Sequence, residues 1–87
     1  MQLSKPLEPY LIDIGGAKLV KLGANEADHW WAVVRILDKN LNLLDEKRSE
    51  KEVKNLDVLL PSGAKYLMID DANSLENIKY GLKIYLE

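Results

Sequence analysis

The chain has 87 residues, of which 47% are hydrophobic and 30% charged, with no cysteine and a formal net charge of -2. That length holds one domain, and the missing cysteines exclude disulfides, thiolate nucleophiles and Cys-based zinc sites. With 12 basic against 14 acidic residues the chain is neither a binder working by phosphate neutralisation nor a strongly acidic DNA mimic.

Residues 1–9 hold Pro6 and Pro9 around Leu7-Glu8, a spacing that precludes a helix and predicts an extended N-terminal arm. The N-terminus has no apolar run like a signal peptide, and no stretch approaches membrane-spanning length, so no membrane partner is expected. Residues 10–87 form the domain proper. Tyr10–Ile14 and Lys18–Leu22 read as short strands around the turn signal Gly15-Gly16, which predicts a hairpin over 10–22. A polar connection, 23–28, leads to the longest apolar run, Trp30-Trp31-Ala32-Val33-Val34-Arg35-Ile36-Leu37. Strand alternation puts Trp30, Ala32, Val34 and Ile36 on one wholly apolar face, the expected core. His29, Trp31, Val33, Arg35 and Leu37 share the other, mixed face. Asp38-Lys39-Asn40 is a turn, after which Leu41, Leu43 and Leu44 begin a second strand, giving a central hairpin.

Eight of the eleven residues in 45–55 are charged. They read as a solvated loop leading to a strand at Leu56–Leu60, with a short helical turn inside 47–55 as the alternative: Val53, Leu56 and Leu60 fall at helical spacing and Glu50 to Lys54 is an i,i+4 pair. Pro61-Ser62-Gly63 is a turn and Ala64–Ile69 a strand. Asp70–Asn77 is loop-like, with Asn73 or Ser74 placed to cap one helical turn at Leu75–Ile78. The last segment alternates cleanly, Tyr80, Leu82, Ile84 and Leu86 against Gly81, Lys83, Tyr85 and Glu87, and predicts a half-buried strand. The total is six to seven short strands, an all-β chain folding as a small antiparallel β-sandwich.

The segment from Ile36 to Ile69 resembles a recurrent module. In it an apolar strand runs into Leu37-Asp38-Lys39-Asn40-Leu41-Asn42-Leu43-Leu44, then a charged connection, then Leu60-Pro61-Ser62-Gly63-Ala64-Lys65-Tyr66-Leu67-Met68-Ile69. It is similar to the jelly-roll, carbohydrate-binding-module-like β-sandwiches of phage fibre, tail and capsid-accessory proteins. The resemblance implies a jelly-roll-like sandwich and a place in a virion, or in host cytoplasm during assembly.

No Ser-His-Asp order, Gly-rich phosphate loop or glycosidase-like carboxylate pair stands out, so a non-enzymatic protein without cofactor is expected. His29, beside Asp28 and Glu26, is a single imidazole with no cysteine to join it and reads as a surface histidine rather than a zinc ligand. Asp70, Asp71 and Asn73 offer oxygens for calcium but lack the EF-hand spacing, and read as a plain polar loop. The aromatics carry the remaining interest. Trp30 and Trp31 point to opposite faces of a regular strand, so one lies outside the main core. Trp31, with His29, Arg35, Tyr10 and Tyr85, is the candidate interface or sugar platform. A chain this short buries about 60–65% of its unfolded surface, so self-association is the expected supplement to stability. The leading expectation is a structural or accessory protein that contacts a protein partner and forms a homo-oligomer. The alternatives are a carbohydrate-binding module and a small inhibitor that occludes a partner's surface.

Overall fold

A computed structural model describes residues 1–87. Its eight strands are β1 (Gln2–Leu3), β2 (Tyr10–Asp13), β3 (Leu19–Ala24), β4 (Ala32–Leu37), β5 (Leu43–Arg48), β6 (Asn55–Leu59), β7 (Tyr66–Asp71) and β8 (Leu82–Leu86), with one 3₁₀ turn at Leu75–Ile78. The antiparallel pairs β1·β8, β2·β7, β3·β6 and β4·β5 are nested, so the chain is one long two-stranded ribbon whose tip is the turn after Leu37. The ribbon is rolled up: β8 also pairs with β3, and β7 with β4. Two four-stranded sheets result, β1-β8-β3-β6 and β2-β7-β4-β5, which is the jelly-roll order of a double-sheet sandwich.

Alternation decides what lies between the sheets. Trp30, Ala32, Val34 and Ile36 are all fully buried, as the sequence predicts, and meet Leu67 and Ile69 of β7. Val20, Leu22, Val58, Leu82 and Ile84 close the core from the other sheet, with Ile14 and Ile78 entering from connections. Trp30 stands ahead of β4, and its indole N–H donates to the Asp70 carbonyl at 3.0 Å, which supplies the partner that a buried indole requires.

Four expectations are corrected. There are eight strands, not six to seven. Residues 10–22 are not a hairpin, because β2 and β3 lie in different sheets. Gly15, at φ 57°, bends the chain across the sandwich, and a turn signal carries no information on which strand its neighbour will pair with. The interval 47–55 holds no helical turn. Its first residues extend β5, which runs through most of the charged stretch. As a sheet edge β5 leaves nearly every side chain in water, so no hydrophobic alternation marks it, and its charges blunt an edge that would otherwise recruit other strands. At the other end of the chain, Tyr80 does not share the buried face of β8. Gly81 at φ 78° breaks the alternation, and Tyr80 remains 54% exposed. The expected cap does form: the Ser74 hydroxyl accepts from the Glu76 N–H at 3.2 Å. The first residues of the N-terminal segment are paired, with Gln2 opposite Lys83 and Leu3 opposite Leu82.

Candidate binding surfaces

The connections collect at two ends of the sandwich. At one end meet 25–31, 49–54 and 72–81, tied by polar groups. The Asp71 carboxylate accepts from the Trp31 N–H at 2.8 Å through one oxygen, and through the other from Asn73 N–H, Ser74 N–H and the Asn77 amide at 2.8, 3.0 and 3.1 Å. Both oxygens are thus satisfied by N–H donors, which makes the 70–73 loop a self-contained polar turn. No group of three or more His, Asp or Glu side chains has metal-binding geometry. Asp28, also buried, accepts from the Tyr80 N–H at 3.0 Å, and the Lys54 ammonium donates to the Asp28 and Glu26 carbonyls.

The five residues singled out from sequence do not converge. His29 is exposed, with Nδ1 3.0 Å from Glu52. Trp31 is half-buried, its backbone held by Asp71 and Ala72. Arg35 lies on the outer face of the β2-β7-β4-β5 sheet, 3.1 Å from Glu46 and 4.0 Å from Asp70. Arg48 shares that Glu46 carboxylate at 3.2 Å. On the same outer face Val33 and Leu37 are buried, flanked by Arg48, Asp70, Tyr66 and Leu43 in the paired strands. Tyr10 belongs to the edge of the core: it lies opposite Ile69 and its hydroxyl donates to the Ser4 carbonyl. Burial, then the nearby Asp28 carboxylate, pushes its hydroxyl up to about 12. Tyr85 is on the other sheet, 56% exposed.

Around Tyr85 the outer face of the β1-β8-β3-β6 sheet is hollowed into an open groove of about 550 Å³. Register explains the hollow. Asn55, Gly23, Lys83 and Gln2 form one row across four strands, and Asp57, Lys21 and Tyr85 form the next. Gly23 sits mid-row and contributes no side chain, so the floor is bare backbone. Tyr80 closes one margin. Lys21 is neutralised by Glu87 at 3.0 Å, a contact that raises the lysine's pKa above its ordinary value. Gly23, Asn55, Asp57 and Tyr80 were not singled out from sequence. The signal was an outward register position occupied by glycine, which becomes visible only once β3 is known to be central.

The opposite end is apolar. Register brings the 14–18, 38–42 and 60–65 connections together with the end of β8. Leu41, Leu43, Leu44, Leu59 and Leu86 are exposed there, half of all the exposed large apolar side chains, and Leu59 is 76% exposed. A depression between 16–18 and 59–64 lies among them. No helix is long and apolar enough to cross a membrane.

No protein-family model, curated protein or solved structure matches this chain.

Proposed function

We propose that this chain is a non-enzymatic structural or accessory component of a virion-type assembly, a decoration, fibre or tail element that acts through protein–protein contacts and self-associates. The observation that carries the reading is the leucine-studded end. A small soluble domain scatters its exposed apolar side chains, and their gathering at one place marks a contact surface. The jelly-roll strand order supports the same reading, because the resemblance over 36–69 leads to that fold, although a fold alone does not specify a function. The opposite end, where buried carboxylates consume the loop N–H groups, offers a partner much less apolar surface.

Sedimentation velocity over a dilution series tests the proposal. The wild-type chain should sediment as a concentration-dependent oligomer, and a Leu41→Asn, Leu59→Glu double variant as a monomer. Both positions are exposed, so the variant should keep its fold. A wild-type chain that is monomeric at every concentration overturns the proposal, as does a variant that associates unchanged.

A further inference from the structure

We propose that the groove across the β1-β8-β3-β6 sheet is a binding site for a neutral oligosaccharide. The inference is independent of the leucine-studded end, because it concerns a different surface and a different kind of ligand. Three features converge on it. First, shape: the groove crosses four strands, roughly 14 Å at the usual strand spacing of about 4.8 Å, and it is open along its length, so it takes a chain rather than a single enclosed molecule. Second, side-chain chemistry: Tyr85 and Tyr80, each more than half exposed, present aromatic surface and hydroxyls together, the combination that packs the C–H face of a sugar ring while bonding its rim. Asn55 and Gln2 supply donors and acceptors, Asp57 acceptors and Lys83 donors, which matches hydroxyls that both give and receive. Third, charge: Lys83 and Lys21 face Asp57, Glu26 and Glu87. A phosphate or sulfate ligand calls for a net basic site, and this one is balanced.

Gly23 decides how close a ring can come. A Cβ built there would lie 3.5 Å from Asn55 Oδ1 and 3.9 Å from Lys83 Cβ, ordinary contact distances, and the glycine has no left-handed φ to relieve. The strand would therefore accept a side chain. What a side chain removes is the hollow itself, so glycine at this position leaves the floor open to a ligand.

The test is a two-dimensional amide NMR titration with a panel of neutral oligosaccharides (gluco-, manno-, xylo- and chito-oligomers) and with heparin fragments as the charged control. One neutral member should give saturable shifts confined to 21–25, 55–57 and 80–85. Gly23→Val and Tyr85→Ala should each weaken that binding about tenfold or more. Near-ultraviolet circular dichroism of the buried Trp30 checks that both variants remain folded. The proposal is overturned if no panel member shifts these amides, if heparin binds there more tightly than every neutral sugar, or if folded Gly23→Val and Tyr85→Ala variants bind as the wild type does.

Discussion

Asp71 is the side chain on which most backbone order at the polar end depends. Four N–H donors converge on its two oxygens, and the residue is 6% exposed. An amide of the same shape can accept at one oxygen only, and its NH₂ group would face at least one of the donors. Asp71→Asn should therefore cost about 2–3 kcal/mol, the usual consequence of leaving a buried donor unsatisfied, read as a lower urea midpoint with unchanged slope. An unchanged midpoint would mean that the loop is held by its other contacts. Sequence alone marked this aspartate as one of a polar run, because nothing local distinguishes a carboxylate that meets water from one that meets the N–H of Trp31, forty residues away in the chain. The buried face of Trp30, Ala32, Val34 and Ile36 was legible for the opposite reason: alternation is a local property and one face was apolar throughout.

At the scale of elements, the turn between β4 and β5 forms the ribbon's tip. The Asp38 carboxylate accepts from the Asn40 and Asn42 backbone N–H groups at 2.8 and 2.9 Å. The bond from the Asn42 N–H is the largest influence holding its pKa below the ordinary 3.8. Asp13 and Asp45 are lowered too, chiefly by the Gly15 and Glu46 N–H groups. A carboxylate whose folded pKa is depressed contributes stability above its unfolded pKa, and that contribution is lost as pH falls through the folded value. Stability should thus be flat through neutral pH and decline once the pH drops below about 4. Asp38→Asn should make the decline shallower, as measured by thermal melts across an acid series. An equal decline in the variant would place the acid sensitivity elsewhere. The turn itself was readable from Asp38-Lys39-Asn40, whereas β5 beyond it was not. An exposed edge strand has no buried face to impose a period, and its charges describe solvent rather than conformation.

For the whole molecule, the nested pairing means that only β4·β5 closes locally, while the outermost pair joins Leu3 to Leu82. Such topologies fold slowly, because loop-closure entropy is lost before distant contacts form. The closing pair depends on Gly81: a Cβ there would lie 1.8 Å from the Leu3 carbonyl oxygen, at a φ of 78° that disfavours other residues. Gly81→Ala should destabilise the fold by about 2–4 kcal/mol. If the ribbon closes from its tip outward, nearly all of that loss should appear as faster unfolding, with refolding little changed in stopped-flow traces. Slower refolding would show instead that β1·β8 forms early. None of this pairing was written into the turn signals, which is why 10–22 looked like a hairpin.

The leucine-studded end and the groove occupy different surfaces, yet β6 contributes to both, with Leu59 at one and Asn55 and Asp57 at the other. Copies seated side by side by their apolar ends would leave every groove uncovered and held at a fixed spacing. Sites that each grip a sugar weakly would then act at a high effective concentration toward a polymeric glycan, and their avidity would exceed single-site affinity by a factor of about 10²–10⁴. A surface-attached polysaccharide would be retained by such an array and released by the isolated subunit.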